Sequence, residues 1–318
     1  MNNERINFCQ VSLARDIPII QQNYKSLKTF YQDIQITIIC PRSELDIFKK
    51  NLNSEEFVIF CEEEIISFIE FKNIFDKITC QSFFKSKMKD RLQWYYQQIL
   101  KITFVINFIK KNNKKIIIWD ADTIITKKIN FFEGENSIKY GTLFEHHQEY
   151  FTTVKSIFGY LPKYYISSLV QFICITENEC NFLLKLLKVS EIQNKDLAIT
   201  LSNLILNNVI KNHNKYSNSL FSEYELIGIS NYMFKKDKQK ALFTLRNELN
   251  GKLTGLQIML AKFLNVKHIT YEHSHLNKDS QGMLERKQKW ISFIRILIKD
   301  FVKFNLRNLK HNINFYYY

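Results

Sequence analysis

The chain has 318 residues, of which 46% are hydrophobic and 14% aromatic, so it can bury one large core or two joined ones and is not a disordered protein. Lys and Arg number 45 against 31 Asp and Glu, which gives a formal charge of +14 and favours polyanions, phosphates or anionic lipids as partners. Neither GxGxxG nor GxxxxGKS/T occurs, which excludes the Gly-rich phosphate loops.

Nothing in the sequence predicts secretion or a membrane span. The first residues lack the basic-then-apolar plan of a signal peptide, and no window reaches about 18 uncharged apolar residues. The six cysteines are scattered without a CxxC pair, which is typical of reduced core residues. We therefore expect a cytoplasmic protein.

The first 120 residues alternate apolar runs with amphipathic stretches. We predict strands at 6–13, 34–40, 56–61 and 114–120, and helices at 15–31, 41–52 and 89–112. Strands rich in Ile and Val that alternate with helices predict an α/β fold with a parallel sheet covered on both faces. In such sheets, ligands bind outside the carboxyl ends of the strands.

The rest of the chain is less regular. We predict a strand and turn at 140–150, a strand at 167–176, a helix at 177–190, helical structure over 191–235 and a strand-like run at 266–275. Internal repeats and Pro/Gly/Ser-rich linkers are missing from the sequence. One catalytic domain over 1–280, followed by a basic amphipathic tail over 281–318, is the organisation that we expect.

Two acids, Asp120 and Asp122, end the most apolar run, in the sequence "IIIWDADTII". Side chains at i and i+2 of an extended segment point to the same face, so both carboxylates could meet one ligand. Hard oxygen ligands at a strand end suit Mg²⁺ or Mn²⁺, which keep positions open for water and substrate phosphates. A short D-x-D is also common as a polar strand end or helix cap.

"IIIWDADTII" resembles the DxD segment of nucleotide-sugar glycosyltransferases with the GT-A fold. Two further segments, "QWYYQQILKI" at 93–102 and "FSEYELIGISNYMF" at 221–234, are similar to segments of a bacterial family of predicted glycosyltransferases from polysaccharide gene clusters. The three segments occur in the family's order, and the resemblance extends to about residue 275. It implies a GT-A fold with a mostly parallel sheet flanked by helices.

The resemblance also implies a reaction and a cofactor. It indicates Mn²⁺ or Mg²⁺, a nucleoside diphosphate-sugar donor, and a saccharide or lipid-linked saccharide acceptor of a surface glycan such as lipopolysaccharide, lipooligosaccharide or capsule. By analogy, Asp122 binds the metal directly, Asp120 holds the ribose or a metal-bound water, and a late histidine completes the metal shell. His273 is preferred over His275 for that last role, and an ordinary surface histidine is the alternative.

Two acids of "FSEYELIG" are candidates for a general base. Ser222 and Glu225 have the S-x-x-E spacing of a capping box, which gives Glu225 a structural task. Glu223 has no such task, so it is the first candidate to take a proton from the acceptor hydroxyl, and Glu225 is the second. Alternatively, both are first-turn acids favoured by the helix dipole.

Other candidates have donor-binding roles. Gln98 and Lys101 lie on the helix before the acid pair, and Lys101 would suit a phosphate, although both could belong to a solvated helix face. Ser12 and Arg15 follow the first strand, where GT-A proteins seat the nucleoside. His146 and His147 are adjacent, so at most one of them would face the site.

The tail interleaves cations with apolar residues. Trp290, Ile294, Leu297, Phe301 and Phe304 share one side of a helix. Such a helix could lie in an anionic bilayer and hold the protein on the inner face of the cytoplasmic membrane, or it could pack on the domain with a solvated basic rim.

Two rival functions stay open. A nucleotidyltransferase could use the same acid pair and would release pyrophosphate. A basic nucleic-acid-binding protein is the other, but the cations concentrate in the tail and no RRM, zinc or helix-turn-helix pattern occurs, so we expect no nucleic-acid partner.

Overall fold

The computed structural model describes residues 5–79, 91–143, 145–163, 165–189, 194–212, 219–237, 239–247, 255–271, 294 and 297–307. The strands are β1 (Ile6–Val11), β2 (Ile34–Cys40), β3 (Phe57–Cys61), β4 (Ile116–Trp119), β5 (Thr123–Ile125), β6 (Phe132–Glu133), β7 (Asn136–Ser137), β8 (Tyr140–Gly141), β9 (Phe172–Ile175), β10 (Lys240–Ala241), β11 (Leu245–Asn247) and β12 (His268–Tyr271). The helices are α1 (Ile17–Lys28), α2 (Leu45–Asn51), α3 (Phe68–Thr79), α4 (Leu92–Asn112), α5 (Gln148–Phe158), α6 (Glu177–Leu187), α7 (Asn194–Lys211), α8 (Glu223–Phe234) and α9 (Gly255–Phe263).

The central sheet has five strands in the order β3-β2-β1-β4-β9. The first four run parallel, and β9 pairs antiparallel with β4 at one edge. Ile116, Ile117 and Ile118 of β4 are all fully buried, because helices cover both faces of the sheet. The predicted α/β fold with a mostly parallel sheet flanked by helices is confirmed.

Each face of the sheet has its own core. On one face, α1 and α2 pack on Phe8 and Trp119, and on the other face α3 to α8 pack on Cys9 and Ile118. Successive residues of β1 and β4 enter opposite cores because side chains of a strand alternate between faces. Each fully buried Ile or Phe side chain contributes roughly 1.5–3 kcal/mol to these cores.

A smaller sheet extends the main one. β5, which follows the acid pair, pairs with β12, and β11 pairs with the other side of β12. The helical C-terminal segment 297–307 covers this sheet through buried Leu297 and through Phe301 and Phe304, whose rings lie 5.9 and 5.1 Å from that of Phe243. The side of the tail that we predicted to enter a membrane therefore faces the protein in this segment.

Several predicted bounds were wrong. The strand predicted at 167–176 begins only at Phe172, because Gln171 has a left-handed φ of +57° that interrupts an extended chain. The strand predicted at 140–150 shrinks to β8, and α5 already begins at Gln148. Within the described residues, none of the helices is long and apolar enough to cross a membrane.

Candidate active site

The candidate site lies at the carboxyl edge of the sheet, between β1 and β4. The chain order reverses there: β2 and β3 lie on one side of β1, whereas β4 lies on the other. Loops that leave neighbouring strands at such a switch point diverge and open a crevice for ligands. Ser12 follows β1 and Asp120 follows β4, so both reach this crevice.

The acid pair lies in a turn and not, as predicted, on an extended segment. The amide of Thr123 donates to the Asp120 carbonyl at 3.0 Å, which closes the turn. The side-chain amide of Asn23 on α1 donates to the carbonyls of Asp120, Ala121 and Thr123 at 3.3, 3.3 and 2.6 Å. These hydrogen bonds fix the turn to α1. The two carboxylates still interact: after burial, the negative charge of Asp120 is the next cause that raises the pKa of Asp122.

Lys101 is a buried ammonium group shared by two carboxylates. Its Nζ lies 2.7 Å from Asp120 Oδ1 and 2.7 Å from Glu223 Oε1, and the side chains of Lys101 and Glu223 are only 9% and 4% exposed. Burial alone would lower the pKa of Lys101, but the two carboxylates outweigh burial and raise it. Lys101 is therefore a fixed positive charge inside the site.

Asp122 has no such partner. Its Oδ1 is buried and accepts no hydrogen bond from any residue that the structure describes. Burial, followed by the negative charge of Asp120, raises the pKa of Asp122 to about 8. A buried carboxylate oxygen without a donor, in a cluster where carboxylates outnumber cations, fits a divalent cation.

A metal here would need further ligands. The described residues contain no group of three His, Cys, Asp or Glu side chains that could hold a metal ion by themselves. His273 and His275 lie outside the described residues. Asp120 and Asp122 could therefore hold Mn²⁺ or Mg²⁺ only together with water, substrate phosphates or another side chain.

Gln98, predicted to bind the donor, makes a contact within the protein. It is 1% exposed, and its Oε1 accepts the backbone N–H of Glu223 at 2.9 Å. The predicted capping box does not form, because Ser222 makes no side-chain cap hydrogen bond. A residue of α4 thus caps α8, which the local S-x-x-E spacing could not indicate.

Glu225 is engaged by one segment of the chain. Its carboxylate accepts hydrogen bonds from Ser167 Oγ at 2.5 Å, from the Tyr165 hydroxyl at 2.9 Å and from the Ser168 amide at 3.2 Å. It is fully buried, and burial raises its pKa to about 7. All of these partners lie within the protein, and a role of Glu225 as a base stays a prediction.

The remaining candidates lie around the crevice. Ser12 is 2% exposed and its Oγ has no hydrogen-bond partner among the described residues, whereas the Arg15 side chain is 78% exposed beside Asp16. His146 and His147 are exposed and stack on Phe151 and Tyr150 at the start of α5. The structure brings Asp120, Asp122, Lys101 and Glu223 together.

Two contributors were missed by the sequence reasoning. Asp16 adds negative charge near Asp122, and Asn23 holds the acid turn. Asn23 is fully buried on the same helix as Ile20 and Leu27. A polar residue in the apolar stripe of an amphipathic helix was the signal that could have identified it.

Residues 12–241 match the model of a protein family described as a family of unknown function, DUF6492. The chain belongs to this family. No curated protein matches the sequence. Membership of DUF6492 therefore does not indicate an activity.

Solved structures of LgtC resemble this DUF6492 chain. One is a crystal structure of the galactosyltransferase LgtC in complex with donor and acceptor sugar analogues: it is 10% identical, with 89% of this chain and 100% of that chain covered and a TM-score of 0.42. Another is an active-site mutant of LgtC, 11% identical over 90% of this chain and 96% of that chain, with a TM-score of 0.36.

Proposed function

We propose that this protein is a metal-dependent glycosyltransferase of the GT-A type. It would move a sugar from a nucleoside diphosphate-sugar to a saccharide or lipid-linked saccharide acceptor of a bacterial surface glycan. One observation carries the proposal: Asp122 presents a buried, unpartnered carboxylate oxygen beside Asp120, at the switch point of a mostly parallel sheet.

The chemistry of the residues supports a diphosphate leaving group. Asp122 and Asp120 would hold Mn²⁺ or Mg²⁺, which supplies positive charge to stabilise the departing diphosphate. Ser12 ends the neighbouring strand with an unpartnered hydroxyl that could bind the nucleoside, and Arg15 follows it with an exposed cation for the phosphates.

In this proposal, Lys101 and Glu223 position the carboxylate of Asp120. The ammonium of Lys101 fixes the direction of the Asp120 carboxylate and lowers the electrostatic repulsion between Asp120 and Asp122. Glu223 orients Lys101 from the other side. Glu223, our first candidate for the base, is assigned to holding Lys101, because its Oε1 is occupied and its side chain is 4% exposed.

Peripheral association with a membrane is the second part of the proposal. The segment 297–307 buries one apolar side against the protein but exposes Ile298, Val302 and Leu306 by 54%, 51% and 65%. These residues are spaced by four, so they form one stripe along the helix, with the cation of Lys299 adjacent. An apolar stripe beside cations suits the inner, anionic face of the cytoplasmic membrane, where a lipid-linked acceptor would lie.

The activity can be tested with the full chain, Mn²⁺ and a panel of nucleoside diphosphate-sugars, with the released nucleotide as the readout. We expect release of a nucleoside diphosphate from at least one donor. Asp122→Asn should lower the rate about 100-fold, since a metal ligand is lost, whereas Asp46→Asn, at an exposed acid of α2, should leave it unchanged.

Each other outcome contradicts the proposal. Equal responses of wild type and Asp122→Asn to every donor would remove the metal role of Asp122. Release of pyrophosphate would identify a nucleotidyltransferase. Salt-sensitive binding of oligonucleotides without metal-dependent binding of nucleotides would identify a nucleic-acid-binding protein.

A further inference from the structure

We propose that Glu225 is a positioning residue that sets the main-chain position of Asp120 through the segment 165–171. The inference rests on the proposed function, because it gives Asp120 a role in holding the donor and its metal. It assigns a task to the second acid of the "SEYE" sequence on α8, which neither binds substrate nor caps the helix.

The first step is the clamp that Glu225 makes on the start of the segment. Three donors from Tyr165, Ser167 and Ser168 converge on its two oxygens, and the Tyr165 hydroxyl also lies 2.7 Å from Ser168 Oγ. Three contacts that converge on one buried side chain hold it in a single orientation, so Glu225 fixes the backbone at these residues.

Close approach of α8 makes this clamp possible. A Cβ atom added to Gly228 would lie 2.1 Å from Ser168 Oγ and 2.6 Å from the Tyr165 hydroxyl. Gly141, on the opposite side, leaves similar space for Ile166. Two glycines therefore allow helix and strand to close on the segment, and Glu225 lies one helical turn from the first of them.

The second step leads from the clamp to the acid turn. The amide of Val170 donates to the Ser168 carbonyl at 2.7 Å, which makes the chain turn sharply into left-handed Gln171. The carbonyl of Gln171 then accepts the N–H of Asp120 at 3.0 Å, directly before the β4–β9 ladder begins at Trp119 and Phe172. The position of Asp120 depends on where this carbonyl lies.

Helix α8 therefore reaches Asp120 by two routes. Glu223 acts on the carboxylate of Asp120 through Lys101, and Glu225 acts on its backbone through the segment 165–171. Residues two apart on a helix point in nearly opposite directions, so each acid can serve one route. The result is a fixed spacing between the carboxylates of Asp120 and Asp122, which a shared cation requires.

The test compares Glu225→Gln and Tyr165→Phe with wild type at a temperature where all are folded. Glu225→Gln keeps the volume but replaces one acceptor oxygen by an NH2 group, so it can no longer accept from all three donors, and Tyr165→Phe removes one donor only. The readout is calorimetric affinity for Mn²⁺ with UDP, GDP or CDP. We expect a loss of about 10-fold or more for Glu225→Gln and a smaller loss for Tyr165→Phe, as for residues that orient a metal ligand.

Tyr31→Phe is the matched control. The Tyr31 hydroxyl is also buried and makes two hydrogen bonds, to the backbone of Ile129. Its loss should lower the melting temperature and leave the affinity for Mn²⁺ and nucleotide unchanged. If Glu225→Gln and Tyr165→Phe behave in the same way as Tyr31→Phe, Glu225 is only structural and the inference is overturned.

A second readout separates this inference from the proposed function. Hydrogen exchange of the Asp120 amide reports its bond to the Gln171 carbonyl and needs no ligand. We expect faster exchange there in Glu225→Gln than in Tyr31→Phe. Equal exchange overturns the positioning role, whereas faster exchange in a protein that binds no metal or nucleotide supports the route to Asp120 and contradicts the proposed function alone.

Discussion

Lys101 is the residue on which the electrostatics of the site depend, and its removal should be costly. Lys101→Met leaves the buried carboxylate of Glu223 and the partly buried carboxylate of Asp120 without their cation. We expect a loss of about 3–5 kcal/mol in the free energy of unfolding, measured by urea denaturation at pH 8. Lys111→Met, at an exposed lysine of the same helix, should change it by about 0.5 kcal/mol or less.

A triple variant tests the cause of that loss. Adding Asp120→Asn and Glu223→Gln to Lys101→Met removes the two uncompensated charges and should recover a large part of the lost stability. If the triple variant is no more stable than Lys101→Met, packing of the lysine stem and not charge pairing accounts for the effect.

Sequence reasoning at this scale could place residues along the chain but could not find their distant contacts. Asp120 and Asp122 could be placed, because an apolar run that ends in acids puts them at the carboxyl edge of a parallel sheet. The partners of Lys101 lie 19 and 122 positions away along the chain, a separation that no local pattern encodes. The hydrogen bonds of Glu225 could not be predicted for the same reason, since its donors come from another segment.

At the scale of elements, the C-terminal segment 297–307 carries a testable prediction. Ile298→Ser combined with Leu306→Ser removes two exposed apolar side chains of the stripe without touching buried Leu297. We expect about 30-fold weaker binding to phosphatidylglycerol vesicles in co-sedimentation, because each of the two changes removes roughly 1 kcal/mol of apolar transfer. Wild type should bind phosphatidylcholine vesicles less well, since lysines beside the stripe favour anionic lipid.

The control for the stripe is Ile69→Ser on α3, where a single isoleucine is 71% exposed. It removes the same chemical group at a place without a stripe and should leave vesicle binding unchanged. Equal binding of wild type and the double variant would show that the segment serves only to cover β5, β11 and β12.

Strands were predicted well where burial in the core makes their sequence apolar. The strands near 6–13 and 34–40 were found because both their faces are buried, which selects Ile, Val and Phe. The strand near 167–176 was shortened, since hydrogen bonds to Glu225 and a left-handed Gln171 hold its first half in another conformation. Tertiary contacts of that kind override local propensity.

At the scale of the whole molecule, the alternation of strands and helices along the sequence predicted the fold class. It could not predict which acidic residues are buried. The sequence has 31 acidic residues, and nothing in their spacing shows that Glu225 is fully buried and that Glu62 is 8% exposed. Burial raises the pKa of each of these carboxyls to about 7. Both are therefore protonated in the folded protein at a pH where they are ionised in the unfolded chain.

The stability of the molecule should consequently depend on pH through these groups. Between about pH 4.5 and 7 the folded state retains protons that the unfolded state has released, so the contribution of Glu225 to stability falls as the pH rises through this window. The full effect is on the order of 3 kcal/mol at most.

Glu225→Gln cannot titrate, so its free energy of unfolding, measured from pH 5 to 8, should fall less steeply than that of wild type. Glu55→Gln, at an exposed acid, should follow wild type. Parallel curves for wild type and Glu225→Gln would mean that Glu225 stays ionised among its three donors, so that their hydrogen bonds outweigh burial.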